Sequence, residues 1–198
     1  MKIGTIGAGR IAKAFTKHVA AAGHRVVMTN KTGDTLDSIV KEFGRNVKAG
    51  NLKQVLDAEI ILLSIPWTEV AGVLNGIKSW NGQIILDTTN AASFPDFKPL
   101  DLGGKTSSEL VAEMAQGAKV VKAFNTLAAA TLATDPRESG GNRVIFISGD
   151  DEGAKKKVLN LLKQLGFAGV DLGNLADSKI QQVGGPLVTK NFIQLTSG

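Results

Sequence analysis

Short apolar runs alternate with amphipathic stretches along the whole chain, the pattern of a strand–helix–strand fold. Residues 2 to 6 open it as a strand, and Ile11, Ala14, Phe15 and Val19 then share one face of a helix over residues 10 to 22. Gly23 ends that helix, and Arg25 to Thr29 reads as the second strand. A helix is expected over 34 to 43 with Asp34 as its N-cap, then a strand over 46 to 49 and a turn or two of helix around Leu52, Val55 and Leu56. Residues 59 to 65 form a nearly continuous apolar run, as in strands buried on both faces of a parallel sheet, and Pro66 terminates it. Next come a helix over 70 to 77, a strand over 83 to 87, a helix from Ser107 or Ser108 to Gln116 and a strand over 119 to 124. A helical run over 127 to 133 precedes a strand over 143 to 148, an amphipathic helix over 152 to 165 and a strand over 167 to 171. Residues 176 to 195 are helical in pattern but broken by Gly184-Gly185-Pro186, which demands a kink or two helices.

The first strand runs directly into Gly7-Ala8-Gly9-Arg10-Ile11-Ala12, and a helix follows. This is the dinucleotide-binding fingerprint with alanine in its third small position. Gly7 allows the tight turn, Gly9 lets a pyrophosphate approach the bare backbone, and Ala12 lets the helix lie close to the sheet. The N–H groups of Arg10 and Ile11 open the helix, where free donors and the macrodipole favour an anion. The fold class that follows is α/β: a Rossmann-type, doubly wound, mostly parallel sheet. It forms a single domain over residues 1 to 198, with C-terminal helices over 174 to 198.

The end of the second strand selects the cofactor. NAD sites place an acid there for the ribose hydroxyls, whereas this chain offers Thr29-Asn30-Lys31-Thr32. Asn, Thr and Lys can donate to a 2′-phosphate that a carboxylate would repel, so NADP is the expected cofactor. Three further strand ends carry small polar residues: Ser64 with Ile65 and Pro66, Thr89 with Asn90, and Asn125 after Ala123. All belong on the ligand side of such a sheet. The loop over 91 to 106, punctuated by Pro95, Pro99 and Gly103-Gly104, is expected to lie over the cofactor.

Composition narrows the chemistry. The chain has no cysteine and two histidines, so thiolate sites and a His-rich metal site are excluded, and no metal is expected. His18 is expected to face solvent, and His24 to sit at the strand edge away from the cofactor. Lys122, the one conceivable proton donor, reads as a surface lysine at a strand end, and no catalytic residue is assigned. The net charge of +5 is spread along the chain; its one run, Lys155-Lys156-Lys157, reads as the solvated side of a helix, without interleaved aromatics. Neither nucleic acid nor membrane is an expected partner. With a strand expected from Lys2, no signal segment is expected, and the expected location is the cytoplasm.

These residues resemble a known family, the NADP-dependent reductases of the deazaflavin coenzyme F-420 with their bacterial relatives, and the similar oxidoreductase domains of membrane ferric reductases. The resemblance spans the chain through Gly7 to Ala12, Ala22-Gly23-His24, Ser64-Ile65-Pro66-Trp67, Val121 to Thr126, Ser148 to Asp151, Val170 to Gly173 and Pro186-Leu187. It implies that the turn after the second strand grips the 2′-phosphate, with Asn30 and Lys31 where the family commonly has Ser and Arg. Asn125 stands where the deazaflavin enzymes have a histidine, as in the bacterial relatives. It also implies a homodimer; the apolar residues of 176 to 195 exceed one docking face and would cover the nicotinamide of a neighbour.

A set of small polar residues without paired carboxylates suits hydride transfer, which needs alignment more than acid–base chemistry. The expected activity is hydride transfer between NADP(H) and a flavin, deazaflavin or similar acceptor. The alternative is a catalytically silent NADP-binding sensor or partner subunit.

Overall fold

In the computed structural model, which describes residues 1–31, 35–93 and 95–196, the apolar runs lie side by side in one sheet. Strands β1 (Lys2–Ile6), β2 (Arg25–Thr29), β3 (Val47–Ala49), β4 (Ile60–Leu63), β5 (Ile84–Asp87) and β6 (Lys119–Lys122) are all parallel. Four more strands follow: β7 (Arg137–Glu138), β8 (Gly141–Gly149), β9 (Ala168–Asp171) and β10 (Ile193–Leu195). The order across the sheet is β10-β8-β6-β5-β4-β1-β2-β3, with β7 and β9 also pairing β8. The chain starts in the middle, winds outward one way to β3, then crosses to β4 and winds the other way. That reversal between β1 and β4 is the switch point of a doubly wound sheet.

Burial on both faces follows from residue parity in the strands. Ile60, Leu62, Ile84 and Leu86 point to one face, and Ile61, Leu63 and Ile85 to the other. The first face packs against α1 (Arg10–Ala21), α2 (Leu36–Lys41) and α7 (Glu152–Leu165), through Phe15, Val19, Val40, Val158 and Leu161. The second packs against α3 (Leu52–Leu56), α4 (Trp67–Leu74) and α5 (Ser107–Met114), through Val55, Val70, Leu74 and Val111. Each such side chain removed from water stabilises the fold by roughly 1.5–3 kcal/mol, so a two-sided core is ample for this sheet. The short helix α6 (Ala129–Leu132) completes the set and docks on α1.

Several expectations are corrected. Residues 176 to 195 are not helical throughout: one 3₁₀ turn, Ala176–Gln181, is followed by turns and by β10, which runs antiparallel to β8 with Ile193 opposite Arg143. Gly184 takes a left-handed φ of 90°, and a side chain at Gly185 would collide with the carbonyls of Lys179 and Ile180, so no helix passes through. Helix α5 does start at Ser107, as expected, with Thr106 capping it in a reciprocal box with Glu109. His18 is half-buried: its Nε2 lies 2.6 Å from the Leu132 carbonyl and its ring meets Phe167 edge-on. Lys155 leaves the solvated side of its helix and is buried, 3.0 Å from Asp171 and 2.7 Å from Glu152, while Lys156 and Lys157 stay exposed. Thr32 and the Asp34 cap lie outside the described residues.

Candidate functional site

The turn from β1 into α1 is pinned between its neighbours. Gly7 N–H donates to the Thr29 carbonyl at 2.9 Å, and Ser64 N–H to the Ile6 carbonyl at 2.9 Å. Gly7 has φ +101°, and a Cβ there would lie 2.1 Å from the Ser64 carbonyl oxygen, so only glycine makes this turn. Gly9 is different: it is exposed, and a Cβ there would meet nothing within 4 Å. It is the N-cap of α1 and supplies no side-chain cap, leaving the first-turn N–H groups for an anion. Ala12 is fully buried against the sheet. The bare face at Gly9 and the uncapped helix fit a pyrophosphate.

A cleft of about 490 Å³ extends from this turn across the carboxyl ends of β4 and β5. It brings together Arg10, Ile11, Ser64, Ile65, Pro66, Thr89 and Asn90, with Trp67, Phe97 and the start of α6 as further walls. Ala8 and Ala123 are buried below the surface, and Asn125, nine-tenths buried, sits behind Asn90. Thr29, Asn30 and Lys31 stand apart from this cleft, at the end of β2. There the Lys31 ammonium lies 3.2 Å from a carboxylate oxygen of Glu69, in the first turn of α4. The acid missing from the end of β2 thus reaches the same corner from another element, which sequence spacing did not show. A second hollow of about 430 Å³, near His18 and Arg137, lies at the other end of α1, where such sheets do not hold their ligands.

The strand-end polar residues are engaged with one another. Thr88 Oγ donates to the Leu63 carbonyl at 3.0 Å, and both the N–H and the hydroxyl of Thr89 donate to Asp87 Oδ1, at 2.9 and 2.7 Å. Asn90 Nδ2 donates to the Asn125 carbonyl at 3.0 Å, and Asn125 Nδ2 donates to Asn90 Oδ1 at 3.1 Å and to the Gln181 carbonyl at 2.5 Å. Phe124, just before, holds a left-handed φ of 61° with its ring edge-on to Phe15 at 5.2 Å. A bulky residue there is strained backbone, tolerated because the aromatic packing fixes it. These threonines and asparagines build a rigid floor. Among the residues lining the cleft, Arg10 is the one ionisable side chain.

Lys122 is the main correction. Instead of a surface lysine it is fully buried, opposite Asp87 in the parallel register of β5 and β6. Its Nζ donates to Asp87 Oδ2 at 3.1 Å, the Thr89 carbonyl at 2.8 Å and Ser107 Oγ at 3.0 Å. Burial pulls its pKa below the ordinary lysine value, and the Asp87 charge opposes that pull. Asp87 in turn accepts from Ser108 Oγ at 2.5 Å. With three acceptors around the ammonium and four donors on the carboxylate, the charged pair is fully satisfied. The signal available in the sequence was a charge closing each of two apolar runs, Ile84-Ile85-Leu86-Asp87 and Val120-Val121-Lys122.

Comparison with known proteins agrees with this fold. The family model for the NADP oxidoreductase, coenzyme F420-dependent, matches residues 2–91. The crystal structure of the hypothetical protein SMa0349 of Sinorhizobium meliloti is 45% identical, with a TM-score of 0.92 over 98% of this chain and 96% of that one. A candidate F420-dependent NADP-reductase of Arthrobacter is 25% identical, with a TM-score of 0.77 over 90% of this chain and 87% of that one. Metalloreductase STEAP3 of Rattus norvegicus is 25% identical over 90% of this chain, and the chain spans about a third (35%) of its length. No helix among the described residues is long and apolar enough to cross a membrane.

Proposed function

From the premise that the chain belongs to the deazaflavin (coenzyme F420) NADP-reductase-like family of dinucleotide-binding oxidoreductases, we propose that it passes a hydride between NADP(H) and a flavin, deazaflavin or similar planar redox carrier. The observation that carries this reading is the cleft lining, in which Arg10 is the one ionisable group. Guanidinium groups do not act as acids near neutral pH. Reduction of a ketone or imine is normally assisted by a positioned proton donor, and the buried Lys122 is fully engaged with Asp87, Thr89 and Ser107. Transfer to a flavin-like ring needs chiefly alignment.

The chain's residues divide the work. The bare backbone at Gly7, Ala8 and Gly9 and the first N–H groups of α1 at Arg10 and Ile11 hold the pyrophosphate. Thr29, Asn30 and Lys31 receive the adenosine 2′-phosphate. Ser64, Ile65 and Pro66 wall the cleft on one side, and Thr89, Asn90, Ala123 and Asn125 form and back its floor. Bound NADPH supplies the hydride. The protein orients it and keeps water from the far side through the Trp67 and Phe97 walls.

Anaerobic single-turnover mixing with NADPH and a panel of flavins and deazaflavins tests the reading. Oxidation of bound NADPH by at least one carrier supports it. NADPH that binds but is never oxidised supports the rival, a silent NADP sensor or partner subunit.

A further inference from the structure

Beneath the turn at 88 to 90 lies a sealed polar cluster outside the hydride path: Lys122, Asp87, Ser107 and Ser108, all fully buried. Stability alone does not account for it. A buried ion pair is often matched or bettered by apolar residues of the same volume, because desolvation offsets the attraction. What distinguishes this pair is what it binds. Every polar group of Thr89 is held by it: the N–H and hydroxyl by Asp87, the carbonyl by Lys122. Thr89 is the middle of the turn that floors the cleft, and the next residue, Asn90, grips Asn125 and through it the Gln181 carbonyl. One ammonium therefore sits at the root of a hydrogen-bonded chain that reaches the floor of the cleft and the C-terminal 3₁₀ turn.

We propose that Lys122 is a positioning residue for hydride transfer: by clamping Thr89 directly and through Asp87 it fixes the 88–90 turn, and with it the alignment of the two rings in the cleft. The inference rests on the oxidoreductase reading. Lys122 touches neither ring. A loosened floor lowers the fraction of near-attack arrangements, while the phosphate grip at Gly9 and Lys31, which among the described residues makes no hydrogen bond to the cluster, keeps nucleotide affinity.

The test uses three variants of the full chain. Lys122→Met leaves Asp87 buried and unpaired and is expected to be strongly destabilised. Asp87→Asn/Lys122→Met removes both charges together, and Ser107→Ala removes a single acceptor while keeping the pair. Hydrogen exchange of the ligand-free protein is followed in peptides covering 87–91, with 60–63 as the internal reference. In the double variant, exchange at 88–90 rises at least about tenfold, with the reference unchanged. Its kcat for NADPH oxidation falls by at least about tenfold, with the NADPH Kd moved less than about threefold. Ser107→Ala shifts both readouts the same way, by about fivefold, the equivalent of one hydrogen bond. Folded variants that keep wild-type exchange at 88–90 and wild-type kcat overturn the proposal, as does a loss confined to NADPH affinity. If none of the carriers oxidises NADPH bound to the wild-type protein, the functional reading fails instead, while the exchange measurement still decides whether Lys122 fixes the turn.

Discussion

We expect cofactor preference to be set at the corner where Lys31 meets Glu69. In the ligand-free protein the two are 3.2 Å apart, with side chains 82% and 47% exposed. At that exposure the pair contributes about 0.2–1 kcal/mol, because water and salt screen it. A 2′-phosphate that claims Lys31 must share it with this carboxylate or displace it. A charge-assisted contact from Lys31 to the phosphate is worth roughly 1.5–3 kcal/mol, so Lys31→Ala is expected to weaken NADPH binding by about ten- to a hundredfold. Glu69→Gln acts in the opposite direction: it frees Lys31 and removes a repulsion, tightening NADPH by up to about fivefold, the equivalent of 1 kcal/mol. NADH has no phosphate at this position, so its affinity moves by less than about twofold in either variant. Calorimetric titration of both nucleotides at low and moderate salt measures all of this. A gain for Glu69→Gln that is equal for NADH, or a loss for NADPH, refutes the placement of the phosphate at Lys31.

Gly9→Val is expected to keep the fold, since nothing lies within 4 Å of a Cβ there, but to lose nucleotide affinity; a folded variant with normal binding refutes the pyrophosphate site. His18 gives the fold an acid sensitivity. Burial first of all lowers its pKa, against the Leu132 hydrogen bond, so the folded state favours the neutral ring. Stability is therefore full above the ordinary histidine value of about 6.5 and is lost as pH falls from there through the folded pKa. In His18→Asn the melting temperature should depend less on pH in that window, while His24, shifted the same way by burial, keeps its own share. The exposed Leu195 on the edge strand β10, with the exposed Phe192 just before it, leads us to expect a dimer of the 20.7 kDa chain. Light scattering should give twice the chain mass, and the monomer mass throughout would refute the dimer.

Local signals carried most of the fold. The Gly7-x-Gly9-x-x-Ala12 turn and the apolar run ending at Leu63 each encode their structure within a few residues, and both sit where the pattern placed them. The cleft that joins Arg10, Ser64 and Asn90 follows from the switch point of the sheet, which the strand–helix alternation implied. What was illegible depends on partners distant in sequence. Lys122 and Asp87 are 35 residues apart, and only the parallel register of β5 with β6 buries them opposite each other. Residues 176 to 195 carry apolar residues at helix-like spacing, yet Ile193 is claimed by Arg143 of β8 as a strand neighbour. The threonine at 88 looks like a ligand donor in a sequence because its acceptor, the Leu63 carbonyl, becomes a neighbour only through the packing of β4 against β5.

The central claim is that the cleft aligns two rings for hydride transfer and contributes no titrating acid. Stopped-flow single turnover with NADPH and riboflavin, followed from about pH 7 to 9, tests it most directly. The account predicts NADPH oxidation with a primary isotope effect from deuterated NADPH and a rate that stays flat across that range. A bell-shaped profile, or a rate that falls away with a single ionisation, would mean that a protein acid takes part and would contradict it.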